Sequence, residues 1–235
     1  MNLLGDDELE RSAVVANCRM NRERGLSGSN GYDRELGLDL LDFLRERLSP
    51  GRPAAWLDLC CGSGKALIEA ATIIRAEGLD IEIVGVDLVG MFRRPYPSLT
   101  CLRLVEASLT TWQPDRAFDL ITCVHGLHYV GDKLGLVARA ASWLADDGVF
   151  MASLGLTNTK LADGRAAGRV VTADLRRAGL GYDRRKRLVV CRGRRVVNLT
   201  YRYLGADDRA GPNYTGQPAV DSYYQPVAVA PTRPV

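Results

Sequence analysis

The strongest constraint on this chain lies at residues 54–71. Ala54-Ala55-Trp56-Leu57-Asp58-Leu59 is a short apolar run with one acid near its end, and Cys60-Cys61-Gly62-Ser63-Gly64 follows it. In Lys65-Ala66-Leu67-Ile68-Glu69-Ala70-Ala71 the apolar residues then recur at helical spacing. A buried strand therefore runs into a glycine turn and leaves it as a helix. Glycines at such a turn let main chain approach a ligand closely. Strand, turn and helix at the carboxyl end of a parallel strand form the place where doubly wound α/β sheets bind nucleotides.

Residue counting separates the nucleotide readings. A phosphate-cradling loop needs Gly-x-x-x-x-Gly-Lys-Ser/Thr. Here Gly64-Lys65 imitates its end, but Ala66 has no hydroxyl for magnesium and Leu59 stands where the first glycine belongs. A dinucleotide fingerprint needs a third glycine for close helix–strand packing, and Leu67 occupies that position. A tight turn that binds nothing is the plain alternative.

Leu57-Asp58-Leu59-Cys60-Cys61-Gly62-Ser63-Gly64 resembles the first motif of class I S-adenosylmethionine-dependent methyltransferases of the small-molecule type: an acid, then Leu-Gly-Cys-Gly-x-Gly. Cys60 replaces the first glycine of that pattern. The resemblance implies an α/β fold with a doubly wound, mostly parallel seven-stranded sheet and an antiparallel hairpin at one edge. It also implies S-adenosylmethionine as cofactor and methyl transfer to a small or medium-sized acceptor, at O or N, by in-line displacement.

Later segments extend the resemblance over roughly residues 54–154. Ile81-Glu82-Ile83-Val84-Gly85-Val86-Asp87-Leu88 matches the family's second motif. A carboxylate at the tip of the second strand accepts hydrogen bonds from both hydroxyls of a ribose. The third strand is expected at 99–105. After it Glu106-Ala107-Ser108 replaces the family's Gly-Asp-Ala, so Ser108 stands where an aspartate would meet the adenine amino group. The fourth strand, 118–124, leads into His125-Gly126-Leu127-His128-Tyr129-Val130, which resembles the Leu-His-His-Val loop between methyl donor and acceptor. Both histidines of the chain lie there.

The resemblance thus places the cofactor against Asp58, Leu59, Cys60, Gly62, Gly64, Asp87, Leu88, Ala107, Ser108, Val124 and His125. It sets the acceptor against Tyr32, Tyr129 and Tyr214. His128 is expected to face the acceptor as a general base, with His125 as a wall nearer the cofactor; satisfied core histidines are the competing reading.

Around this centre, helices are expected over 6–24 and 33–48, joined by a glycine- and serine-rich link that reads as an exposed connector; the resemblance implies instead that residues 1–50 fold over the cofactor as a lid with Tyr32 and Arg22 lining it. By the same resemblance, residues 51–204 are expected to form the methyltransferase domain. It includes helices at 132–145 and 164–178, a strand at 148–154, and a hairpin whose strands, 188–191 and 195–203, flank Arg192-Gly193-Arg194. The glycine-, proline- and tyrosine-rich tail, 205–235, either stays disordered or returns over the acceptor pocket.

Composition removes several classes. A chain of 235 residues builds one sizeable core, and no apolar run approaches the roughly 18 residues of a membrane span. The acidic opening and six cysteines without paired ligand spacing predict a cytoplasmic protein with neither zinc nor a disulfide framework. The net charge of +3 does not by itself imply nucleic acid. Residues 184–202, however, carry seven arginines and one lysine without an acid. A charged sheet edge that repels other strands explains them. An RNA methyltransferase with Tyr182, Tyr201 and Tyr203 as stacking rings, or a non-catalytic cofactor-binding protein, are the alternatives. Nothing in the sequence sets the oligomeric state.

Overall fold

A computed structural model describes residues 2–16, 23–94 and 97–227. The elements, in chain order, are helices α1 (Asp6–Glu10), α2 (Ala13–Ala16), α3 (Tyr32–Leu36) and α4 (Leu40–Arg45), then β1 (Ala54–Leu59), α5 (Lys65–Glu77), β2 (Ile81–Asp87), β3 (Leu102–Glu106) and β4 (Phe118–Cys123). The second half holds α6 (Lys133–Ser142), β5 (Leu144–Ser153), β6 (Thr159–Leu161), α7 (Gly168–Arg177), β7 (Gly181–Asp183), β8 (Leu188–Arg192), β9 (Tyr201–Asp207) and β10 (Asp221–Pro226).

Seven strands form one sheet in the order β3-β2-β1-β4-β5-β8-β7. The first five are parallel, and β8 runs antiparallel to both β5 and β7. Every residue of β1 and β4 is buried, as expected of strands covered on both faces. The period-2 alternation sorts them between two layers: Ala54 and Trp56 pack with Leu36, Leu44, Leu67 and Ile74 of α3, α4 and α5, while Leu57 and Leu59 pack with Leu136, Val137 and Leu175 of α6 and α7. Each such aliphatic side chain stabilises the fold by roughly 1.5–3 kcal/mol. The register sets Asp58 opposite Gly85 of β2 on one side and Thr122 of β4 on the other. The carboxyl ends of the three central strands therefore come together at one rim.

The chain departs from the sequence expectations in three places. The helix expected at 33–48 is two helices, because Gly37 adopts φ 66° and ends α3 while the Asp39 side chain accepts from the Asp42 N–H to start α4. The helix expected at 6–24 breaks after Glu10, and its later part, with Arg22 and Cys18, includes positions outside the described residues. The edge hairpin is β7–β8, with its turn at 184–187, one strand earlier than Arg192-Gly193-Arg194. The Arg192-Gly193-Arg194 turn leads out of the sheet: the Gly193 N–H (φ 72°) donates to Gly148 O, and the strand that follows joins another sheet.

That smaller sheet has the order β6-β10-β9 and folds the tail through residue 227. Buried Lys133 holds it to the start of α6, donating to Val220 O and Ser222 Oγ, while the Val220 N–H donates to His128 O. Among the described residues no helix is long and apolar enough to cross a membrane.

Candidate active site

A pocket of about 780 Å³, open to solvent, lies at the rim formed by β1, β2 and β4, closed on one side by Asp6, Leu9 and Glu10 of α1 and Val15 of α2. Its floor is the glycine turn. Cys60, Gly62 and Gly64 have φ of 57°, 60° and 73°. An L-residue in this left-handed region costs roughly 1–2 kcal/mol, so the backbone explains why a glycine is the usual choice where Cys60 stands. Beside it, the Gly62 N–H donates to Asp87 Oδ2 at 2.9 Å and the Val89 N–H to Asp87 Oδ1 at 3.2 Å. Asp87 thus ties the turn to the tip of β2 and presents its carboxylate to the pocket.

Asp58 has a different setting. It is fully buried, accepts from Thr122 Oγ1 at 2.5 Å and from the Tyr32 hydroxyl at 2.8 Å, and does not line the pocket. Trp56 Nε1 completes the chain by donating to Thr122 Oγ1. Burial pushes the Asp58 carboxyl up to about 7, against the lowering effect of its two hydrogen bonds.

The two histidines also divide. His125 lines the pocket at φ 58°, and its Nε2 lies 3.0 Å from Glu35 Oε2, although the N–H is not aimed squarely along that contact. Glu35 in turn accepts from Arg24 at 2.8 Å. Its contact with His125 is the main cause that holds the Glu35 carboxyl below its ordinary range. His128 is fully buried, off the pocket wall, with neither ring nitrogen bonded among the described residues. Burial pulls it down to about 3, so it stays neutral. The Tyr214 ring lies 5.2 Å from His128 and 6.1 Å from His125.

The family described as a methyltransferase domain matches residues 32–183. The chain belongs to this family of S-adenosylmethionine-dependent methyltransferases. A curated trans-aconitate 2-methyltransferase from Methylobacterium radiotolerans is 33% identical over 98 residues, 41% of this chain. The chain covers only 36% of that relative's length. Among solved structures, an S-adenosylmethionine-bound amino pentose methyltransferase from Micromonospora echinaspora is 23% identical, with TM-score 0.40 over 53% of this chain and 51% of that one. A DszA carbon methyltransferase is 18% identical, with TM-score 0.45 over 54% of this chain and 36% of that one.

The methyltransferase pocket fits its cofactor. It offers a carboxylate, Asp87, beside a glycine turn with little side-chain bulk, and apolar walls from Leu88, Leu109 and Val124. Of the residues expected from sequence, Cys60, Gly62, Asp87, Leu88, Val124, His125 and Tyr129 line it. Leu59 and Gly64 are off its wall, Tyr32 is bonded to Asp58, and Ala107 donates its N–H to Asp87 O. Ser108 is off the wall too, but its hydroxyl donates to Glu10 Oε1 at 2.5 Å, and Glu10 is on the wall. Glu10, Glu35 and Arg24 were not legible as site residues. The single local hint was the missing acid at 108, which leaves a place for a carboxylate from elsewhere in the chain.

Proposed function

We propose that the chain transfers a methyl group to a small or medium-sized acceptor, with His125 as general base in place of His128. The observation that carries this reading is the placement of His125 on the pocket wall against the Arg24-braced Glu35. A small rotation of the ring would aim Nε2–H at Glu35 and leave the lone pair on Nδ1, buried at the pocket wall, for the acceptor's proton. When bound, S-adenosylmethionine supplies an already activated methyl on its sulfonium. The protein's part is alignment, which can lower such a barrier by roughly 7–11 kcal/mol, and removal of one proton from the attacking O–H or N–H. Glu10, reached through Ser108, provides the acceptor oxygen at the adenine end, and Asp87 the one at the ribose. The small-acceptor reading is supported by the curated relative, named for trans-aconitate. The basic segment favours it over RNA only indirectly: its arginines leave in different directions, Arg194 to Leu144 O, Arg202 to Gln225 and Arg187 to the Tyr214 ring.

Calorimetry tests the cofactor assignment. S-Adenosylhomocysteine should bind more tightly than NAD or ATP. Asp87→Ala loses the ribose contacts and the brace on Gly62, and should weaken that binding by about 1.5–3 kcal/mol, roughly ten- to a hundredfold. Wild-type affinity in the variant, or tighter binding of NAD, would contradict the assignment.

A further inference from the structure

Beside Tyr214 lies positive charge that no ion pair among the described residues neutralises. A recess of about 690 Å³ opens between the turn after β5, the start of α7 and the β7–β8 turn, lined by Arg169, Arg184 and Arg187 with Thr157 and Tyr182. None of these three guanidiniums forms an ion pair among the described residues, while nearby acids are engaged elsewhere. Asp183 accepts from the N–H groups of Arg185 and Lys186, and Asp174 is paired with Arg177 and the Tyr201 hydroxyl. The three arginines are exposed, and like charges lining one open recess repel one another, an effect that a bound anion reduces.

The backbone shows that Arg187 is placed rather than merely present. Its φ is 53°, and its carbonyl accepts from the Leu154 N–H at 2.8 Å, fixing it to the end of β5. Among the described residues only Cys60, His125 and Arg187 are non-glycine positions with positive φ. Such strain persists only where the surroundings hold it. The first two border the cofactor pocket.

Geometry connects the recess to the reaction. The Arg187 guanidinium carbon sits 3.9 Å over the Tyr214 ring, and that ring is 6.1 Å from His125, so the two contacts in series put the guanidinium at most about 10 Å from the His125 ring. Gly155 lines the recess and packs against the same two rings: a Cβ there would stand 3.2 Å from His128 Cε1 and 3.3 Å from Tyr214, so the missing side chain lets these rings approach the recess.

We propose that the Arg169–Arg184–Arg187 recess binds an oxyanion of the acceptor, a carboxylate or a phosphate, and so orients the acceptor's nucleophile past Tyr214 toward His125. Guanidinium forks suit both groups, because each presents paired oxygens to paired N–H donors. The orienting role rests on the methyl-transfer reading above; the anion site itself does not.

The test is titration of citrate and, separately, inorganic phosphate into the protein with and without S-adenosylhomocysteine, for wild type, Arg187→Gln and Arg184→Gln. At least one anion should bind wild type with a dissociation constant below ~1 mM, and each variant should loosen it about tenfold or more. Affinity for S-adenosylhomocysteine should stay within about twofold of wild type, which also reports that the variants fold. Binding of citrate alone assigns a carboxylate, and binding of phosphate alone a phosphate ester. If neither anion binds, or the variants bind as wild type does, the recess is not an acceptor subsite. Failure of S-adenosylhomocysteine to bind wild type would instead strike at the methyl-transfer reading, and the titration of unloaded protein would still judge the recess.

Discussion

Asp58→Asn should make this protein less sensitive to rising pH and more stable at pH 8. The wild-type carboxyl is raised from 3.8 to about 7 by burial. A group raised in the folded state contributes stability that is fully present below its unfolded value and lost as pH climbs through its folded one. Between pH 4 and 7 the wild type therefore forfeits ~4 kcal/mol through this residue. Asparagine has no proton to lose. Its Oδ1 can still accept from Thr122, and the Tyr32 hydroxyl can turn to accept from Nδ2 where it now donates to Asp58. Urea unfolding of both proteins at pH 5 and pH 8 isolates the effect, because all other titrating groups are common to the pair. The variant's advantage should grow by about 3 kcal/mol between the two pH values. Parallel profiles would mean that Asp58 is not the strained carboxylate its burial implies.

What the sequence revealed of the fold follows from which forces are local. β1 and β2 match their expected limits, 54–59 and 81–87, because a strand buried on both faces is an apolar run that only a turn or a polar residue can end. The small sheet was illegible for the opposite reason. β10 reads Asp-Ser-Tyr-Tyr-Gln-Pro, and its burial comes from long-range polar partners: Ser222 with Gly131 O and Lys133, and Tyr224 with the Leu134 N–H and Asp132. Lys133, at the start of a helix, has nothing in its local sequence to mark it as buried. The hairpin was misplaced because Arg192-Gly193-Arg194 carries the usual turn glycine. The true turn, Arg184-Arg185-Lys186-Arg187, has none and places an arginine at φ 53°.

The site divides in the same way. Positions bound to a strand end, such as Cys60, Gly62, Asp87 and His125, were visible because strand, turn and residue type occur together in sequence. Glu10 meets Ser108 across 98 residues and Glu35 meets His125 across 90, and no periodicity marks such pairs. Both belong to the segments before β1, which carry no motif. These segments supply both acids of the pocket wall besides Asp87, Asp6 and Glu10, and burial raises both carboxyls.

His125→Gln should lower turnover by roughly 10²–10⁴ while S-adenosylhomocysteine affinity changes only a few-fold. The residue lines the pocket, so some affinity is lost with its ring, but on the reading proposed above the main loss is the proton acceptor. Glutamine at this left-handed position carries a similar backbone cost, which separates chemistry from folding. Glu35→Gln keeps the contact's shape without its charge, and should slow turnover less than loss of the imidazole itself. His128→Gln gives the contrast. Its ring is buried behind Tyr214, and burial holds it neutral far below physiological pH. Replacing it should affect stability first and turnover only through Tyr214. The readout is S-adenosylhomocysteine released per second, with the acceptor that supports turnover, from pH 6 to 9. If His125→Gln runs within about threefold of wild type across that range, no base is needed and alignment is the whole mechanism. If His128→Gln is the slower of the two with its fold and cofactor affinity intact, the proton passes to His128, and Tyr214 must swing aside to let the acceptor reach it.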